Sequence, residues 1–288
     1  MPATDRSVSI DRLAELISER RVAVLTGAGI STDSGIPDYR GPRGSLTRRA
    51  PIRYHEFVRS AEDRRRYWAR SCRGWPFMRD RRPNISHEIV ARLQHSGALG
   101  PVITQNVDGL HQAAGSDPVL ELHGSLDAAV CLTCGHRRDR DAVQREMEDG
   151  NPGWLDHAIE IAPDGDAELD PALIREFVPP ACNHCGGALK PDVVLFGESV
   201  PKNRVDRAFS WVDGSQLLLV LGSSLTVYSG YRFAERARAT GKPVALVNLG
   251  ANRADPIASL KIDAALAPTL TELIRRLERS PMSGGHQR

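Results

Sequence analysis

Four cysteines fall in two matched pairs, Cys131-Leu-Thr-Cys134 and Cys182-Asn-His-Cys185. This spacing constrains the fold more than any other feature of the chain. Four thiolates offered two by two enclose a tetrahedral zinc ion completely and leave no position open for water, so the ion they predict is structural rather than catalytic. Metal binding of that kind contributes on the order of 10 kcal/mol to folding, enough to decide whether the surrounding segment exists as a lobe. A redox dithiol is the second reading of the same spacing. His136 and His184 read as spare groups beside the ion, and the fifth cysteine, Cys72, as a bystander thiol. A reducing compartment favours metal over disulfides for such pairs.

The 47 residues between the pairs, 135–181, carry 12 acids against five arginines, and their Pro/Gly-punctuated part, 149–171, reads as a loop leaving the lobe. Residues 41–82 have the opposite balance, 13 arginines against four acids, with Tyr54, Phe57, Tyr67, Trp68, Trp75 and Phe77 among them, and read as a helical insert. A chain with a net charge of only +2 can carry such asymmetry as solvated faces, so a nucleic-acid partner is not expected. No apolar run approaches the roughly 18 residues of a membrane span. The N-terminus reads as a surface helix capped by Ser9, with Ile10, Leu13, Ala14 and Ile17 at helical spacing. Its acids argue against a secretory or transit segment, which points to a cytoplasmic protein, or to the mitochondrial matrix if the source is eukaryotic.

Apolar, β-branched runs recur at Val22–Thr26, Val102–Thr104, Val119–Leu122, Val193–Phe196, Leu217–Leu221 and Val244–Leu249. Helical patterns at His87–Gln94 and Tyr231–Arg238 lie between them. The alternation predicts an α/β fold, a Rossmann-like parallel sheet with helices on both faces. Ligands of such sheets collect at the carboxyl ends of the strands. Polar residues bunch there at Gly27–Ser31, Gln105–Asp108, His123, Gly222–Ser224 and Asn248, which predicts one cleft at five strand ends. The expected division is a nucleotide-binding domain of residues 1–40, 83–126 and 188–279, a small lobe made of the insert 41–82 and the zinc module 127–187, and a disordered tail, 280–288.

The turn Gly27-Ala28-Gly29 after the first strand lets backbone amides approach a pyrophosphate, with a following helix directing its positive end at it. Thr32 stands where the usual dinucleotide fingerprint has a third glycine, and the stretch that should supply an acid is arginine-rich. Both departures disfavour an ordinary dehydrogenase.

The turn continues into Gly27-Ala-Gly-Ile-Ser-Thr-Asp-Ser-Gly-Ile-Pro-Asp-Tyr-Arg-Gly41, then Thr104-Gln-Asn-Val-Asp-Gly-Leu-His111, Glu121-Leu-His-Gly-Ser125, Phe196-Gly-Glu198 with Pro201, Gly222-Ser-Ser224 and Val247-Asn-Leu-Gly250. In these segments, and in this order over about residues 10 to 275, the chain resembles the sirtuins. Arg66-Tyr-Trp-Ala-Arg70, Gly74-Trp75-Pro76 and Tyr228-Ser-Gly-Tyr-Arg-Phe233 look like the class II, mitochondrial-type branch, here in a bacterial-like member. The resemblance implies removal of acyl groups from protein lysines with NAD as consumed co-substrate, releasing nicotinamide and O-acyl-ADP-ribose. Mono-ADP-ribosyl transfer from the same cleft is the alternative, and a zinc-stabilised scaffold without turnover is a third reading.

The same resemblance assigns roles. His123 is the base that activates a ribose hydroxyl, a task suited to an imidazole whose ordinary pKa is about 6.5. Asn106 and Asp108 stand beside nicotinamide and its ribose, and Gln105 reaches a ribose hydroxyl. Gly27, Ala28, Gly29, Ser31, Asp38, Tyr39, Arg40, Val107, Gly222, Ser223, Ser224, Asn248, Leu249, Gly250 and Leu266 complete the NAD contacts. His111 shapes the pocket. Val194, Phe196, Gly197 and Glu198 lie along the channel of the acylated-lysine protein, where an extended peptide pairs as an added strand. Tyr67 and Arg70, at helical i,i+3 spacing, are the pair that would hold a negatively charged acyl group. A monomer is expected.

Overall fold

The computed structural model describes residues 3–38, 51–156 and 171–279. Tyr39 and Arg40, the acidic stretch 157–170 and the tail 280–288 lie outside the described residues. In chain order the elements are α1 (Ala3–Ser18), β1 (Val22–Thr26), α2 (Tyr54–Arg59), α3 (Ala61–Arg79), α4 (Ile85–His95), β2 (Val102–Thr104), α5 (Leu110–Ala113), β3 (Val119–Glu121), β4 (Gly124–Cys131), β5 (Arg137–Asp139), α6 (Arg140–Gly150), α7 (Pro171–Glu176), β6 (Leu189–Val193), α8 (Lys202–Gly214), β7 (Leu217–Leu221), α9 (Tyr228–Ala239), β8 (Val244–Val247), β9 (Leu260–Ile262) and α10 (Leu266–Arg279).

Six strands form one parallel sheet in the order β3-β2-β1-β7-β8-β9. Counting only the strands of this sheet, that is 3-2-1-4-5-6, the doubly wound order whose direction of growth reverses between β1 and β7. Val22–Thr26 and Leu217–Leu221 are buried at every position because both faces of the sheet are covered. Successive residues serve opposite layers. Val22, Val24, Leu217 and Leu219 pack with Leu13 and Ile17 of α1, Ile89 and Leu93 of α4, and Leu270 and Leu273 of α10. Ala23, Leu25, Leu218 and Val220 pack with Ala208 and Val212 of α8 and Phe233 and Ala237 of α9. This is the period-two alternation of a strand read on two covered faces, and each fully buried leucine contributes about 1.5–3 kcal/mol.

A second, antiparallel sheet, β5-β4-β6, carries the cysteine pairs near its ends. Its core is shared with the arginine-rich insert: Phe57, Tyr67, Trp68 and Ala69 pack with Ala129, Val143, Met147, Trp154 and Phe177. Polar groups tie the halves together. Trp68 Nε1 donates to Leu189 O (2.9 Å), Trp154 Nε1 to Ala69 O (2.8 Å), and buried Arg140 to Ser71 O (3.1 Å) while lying over the rings of Trp68 and Trp75. Cys72 sits in this core, where burial pushes its thiol up to about 11 and leaves it unreactive.

Three local expectations are corrected. Ser9 is not a cap, because α1 begins six residues upstream and the Ser9 hydroxyl instead bonds back to Asp5 O (2.8 Å) within the helix. The strand expected at Val193–Phe196 is Leu189–Val193, and it belongs to the antiparallel sheet. It stops there because the Glu198 carboxylate captures the Leu195 amide (2.9 Å) and Gly197 takes φ 83°, turning the chain. Among the described residues no long helix follows the first glycine turn. Two short 3-10 turns, Ala28–Ile30 and Thr32–Ser34, take its place, since the Thr32 hydroxyl bonds back to Gly29 O and Gly35 ends the run at φ 83°.

Candidate active site

The two loops at the reversal point cross at backbone contact. Gly29 N donates to Gly222 O (2.8 Å) and Gly27 N to Leu221 O (3.2 Å). A Cβ on Gly29 would lie 2.8 Å from Gly222 O, and one on Gly27 would lie 2.7 Å from Ser223 Cβ, so neither position tolerates a side chain. The glycines are thus required by the crossing of β1 and β7, and their amides are largely committed to it. Gly222 itself takes φ 61°, with Leu266 at the start of α10 closing on it from below. Leu225 also adopts a left-handed φ of 52°. It is held there by burial among Phe233 and Leu246, and its amide donates to Ser223 Oγ (3.3 Å).

Beside this crossing lies a connected polar group. Ser31 Oγ donates to Asp108 Oδ2 (2.7 Å) and accepts from Asn106 Nδ2 (3.0 Å); Asn106 also donates to Gly27 O (3.2 Å). Both amide hydrogens of Asn106 are used, which leaves its Oδ1 as the acceptor. Burial raises the Asp108 carboxyl above its ordinary range, against the Leu110 amide and the Ser31 hydroxyl, which favour the anion. Beneath them two histidines meet edge to face at 5.0 Å, His87 with Nε2 3.5 Å from Ser31 Oγ and His111 with Nε2 2.9 Å from Thr26 Oγ1. His111 thus lies at the end of β1, against Thr26. His87 was not anticipated, because a histidine among Ile85, Ile89 and Val90 reads as one residue of an apolar helix face.

His123 lies in the two-residue turn, Leu122–His123, between β3 and β4. Its Nδ1 lies 2.9 Å from Gln105 O, and since a carbonyl only accepts, Nδ1 carries the proton and Nε2 the lone pair. Nε2 faces Ser229 Oγ at 2.9 Å. Burial holds the ring down to about 4; the Gln105 carbonyl opposes this, and the charges of Arg204 and Arg232 add to it. The imidazole is therefore neutral at pH 7 with its free electron pair at a defined nitrogen. Gln105 is fixed in turn by Nε2 bonds to Ser223 Oγ (2.7 Å) and Thr26 O (3.2 Å).

Of the remaining residues assigned to NAD, Ser223 and Asn248 are buried at adjacent strand ends, while Ser224 bonds Thr226 (3.0 Å). Leu249 is 70% exposed, which makes it available to a flat ring, and Gly250 N is held by Asp263 (2.8 Å). Leu266 is buried in the main core as well as touching the Gly222 loop. Val107 packs against the cluster of Ile36, Leu110 and Leu126, whereas Ala28 and Asp38 remain half-buried near the cleft. On the lobe side, Val194 N donates to His123 O (2.7 Å) and Phe196 O accepts from Tyr54 N (2.9 Å), so this segment runs from the histidine to the helical insert. Glu198 turns inward to a buried ion pair with Lys190 (3.1 Å). Tyr67 and Arg70 are both buried, one turn apart on α3, with the Tyr67 ring edge-on to Phe57 and to Trp68.

The four cysteine sulfurs lie within 4.8 Å of one another, with Cys131–Cys185 at 3.5 Å, Cys134–Cys185 at 3.4 Å and Cys134–Cys182 at 3.8 Å. A tetrahedron with metal–sulfur bonds of about 2.3 Å has edges of about 3.8 Å, so the set is of the size that holds zinc. The Cys134 and Thr133 amides point at Cys131 and lower its thiol to about 6, the direction that favours a thiolate ligand. His136 and His184 are exposed beside the cluster, their rings 5.7 Å apart.

With this geometry in hand, the similarities to known proteins fall into place. The Sir2 family pattern matches residues 27–229. A Streptomyces coelicolor protein described as NAD-dependent protein deacetylase 1 is 51% identical over 265 residues, 92% of this chain and 89% of its own length. A solved Sir2 structure holding a deacetylated p53 peptide and 3'-O-acetyl ADP ribose superposes with a TM-score of 0.75 at 28% identity, covering 93% of this chain and 98% of that one. Another, of Sir2 with a p53 peptide and NAD+, does so with a TM-score of 0.71, again at 28% identity and with the same coverage of both chains.

Proposed function

The chain belongs to the Sir2 family, and on that premise we propose that it is an NAD-dependent protein deacetylase, removing acyl groups from lysine side chains of proteins. The observation that carries this reading is the His123–Gln105 hydrogen bond, which prepares a neutral imidazole with its lone pair on Nε2 at the mouth of a doubly wound sheet. The residues present fit NAD. Beside the loop crossing of Gly27, Gly29 and Gly222, the polar side chains of Ser31, Gln105, Asn106 and Asp108 gather at the reversal point where such sheets bind dinucleotides. NAD bound there would supply the anomeric carbon that takes the acyl oxygen, with nicotinamide as the leaving group.

The chain's own groups do the rest. Asn106 and Asp108, tied together through Ser31, present an amide acceptor and a carboxylate to the nicotinamide end. His123 takes a proton from a ribose hydroxyl onto Nε2 while Gln105 keeps the ring from rotating. Zinc, held by Cys131, Cys134, Cys182 and Cys185, supplies folding energy to the lobe and takes no part in the reaction.

Val194, Phe196, Gly197 and Glu198 form the peptide side of the cleft in this reading. Residues 41–82 and 127–187 act as one lobe against the nucleotide-binding domain of 1–40, 83–126 and 188–279. The test is product mass spectrometry from acetyl-, succinyl- and glutaryl-lysine peptides with NAD. O-acyl-ADP-ribose and nicotinamide in equal amounts are expected, whereas stable label from NAD on protein without acyl loss would replace deacylation by ADP-ribosyl transfer. The same panel reads Tyr67 and Arg70: faster turnover of the acidic acyl groups supports their role, and equal or faster turnover of acetyl-lysine removes it.

A further inference from the structure

The residue facing the working nitrogen of His123 comes from a distant element. Ser229 is the second residue of α9, half-buried, with its Oγ 2.9 Å from His123 Nε2. Because Nδ1 gives its proton to Gln105 O, the neutral ring has a single acceptor pair, at Nε2, and the Ser229 hydroxyl must donate to it. The contact is built by packing rather than by a loose rotamer. A Cβ on the next residue, Gly230, would lie 2.5 Å from Gln105 Oε1, so the start of α9 is pressed onto the same residue that orients the ring. Gln105 is itself pinned to Ser223 and Thr26. Three elements therefore meet at one imidazole, and Ser229 is placed there whether or not the hydrogen bond forms. The charges of Arg204 on α8 and Arg232 on α9 act on the ring.

We propose that Ser229 is a positioning residue whose hydroxyl competes with the ribose hydroxyl of NAD for the one lone pair on His123. One lone pair accepts one hydroxyl proton well, so NAD must displace Ser229 before the base can take its proton. The serine holds the ring in its working orientation and weakens nucleotide binding by about the net value of one hydrogen bond. The inference rests on reading the cleft as an NAD site.

Its test is a double-mutant cycle on the full chain, with ADP-ribose binding followed by calorimetry and nicotinamide release from NAD followed by rate. Ser229→Ala should tighten ADP-ribose and lower KM for NAD about three- to tenfold, the range of one net hydrogen bond, with kcat moving less than KM. Ser229→Thr, which keeps a hydroxyl, should return both toward wild type. In a His123→Ala background, Ser229→Ala should leave ADP-ribose affinity where it was. An equal shift in that background, or weaker binding in Ser229→Ala, overturns the competition. A wild-type chain that binds ADP-ribose but releases no nicotinamide overturns the deacetylase reading and leaves the cycle to be judged on binding alone.

Discussion

The backbone carbonyl of Gln105 lies 2.9 Å from Nδ1 of His123, and this one bond decides which nitrogen of the ring can act as a base. Replacing His123 with alanine removes the base but no packing that the zinc lobe depends on. Nicotinamide release should fall by about two to four orders of magnitude, the usual weight of a positioned general base, with zinc content unchanged. Rate measurement and elemental analysis on one sample check both; a variant that keeps more than about a tenth of the rate would remove His123 from the mechanism.

The pH dependence of kcat/KM should carry the signature of a histidine held down to about 4, chiefly by burial. In the proposed mechanism the neutral ring is the active form, so a lowered pKa keeps the enzyme active further into acid. The acid limb should fall well below the ordinary histidine value of about 6.5. A limb centred near 6.5 in the free enzyme would show that the ring is better solvated than the structure has it.

Gly29→Ala should damage the crossing of β1 and β7, because the new Cβ meets Gly222 O at 2.8 Å and Gly222 Cα at 3.0 Å, both backbone atoms that cannot turn aside. Overpacking of this kind costs about 1–3 kcal/mol, and KM for NAD should rise with it. Gly150→Ala, where the added carbon meets nothing within 4 Å, is the control: it should leave KM unchanged and, lying in α6, should not lower stability. Denaturant midpoints and NAD saturation curves for the pair decide the matter.

Cys182→Ser removes a buried corner of the sulfur tetrahedron. Zinc should drop below one per chain and the lobe core around Trp68, Val143 and Phe177 should loosen, because the metal supplies folding energy there. Thermal unfolding with parallel metal analysis tests this. Full zinc occupancy and an unchanged midpoint would mean that the cluster is ornamental.

How legible these features are in the sequence depends on how local their causes are. β1 and β7 are readable because a strand covered on both faces has an unbroken apolar run, and each cysteine pair is readable because its spacing is set within one turn. The role of Gly27 and Gly29 is not readable in the same way. A glycine turn after a strand suggests phosphate, while here its first requirement is the loop around Gly222, nearly 200 residues downstream. Ser229 escapes for the same reason. A serine opening a helix reads as a cap, and its partner His123 is 106 positions away. Ser9 is the converse error, a serine that looks like a cap and lies inside a helix. The strand at Val193–Phe196 was displaced by a side chain, Glu198, whose inward turn to Lys190 no periodicity reveals.

The buried histidines beneath the cleft make stability depend on pH. His87 is held down to about 4 by burial, and His111 to about 3 by burial and by the neighbouring His87. The geometry agrees: among the described residues, His111 Nδ1 has no hydrogen-bond partner, so a proton added there would find no acceptor. In the unfolded chain both titrate near 6.5. Between that value and the folded ones the unfolded state binds more protons, so stability is complete above about pH 6.5 and is lost progressively as pH falls toward 4. Each ring should account for a loss on the order of 1–3 kcal/mol over that window. Urea unfolding at pH 7.0, 6.0, 5.0 and 4.5 should show the decline, and His111→Gln, which keeps a donor toward Thr26 but cannot charge, should make the slope shallower. Parallel curves for wild type and His111→Gln would mean that this ring is not the group that acid attacks.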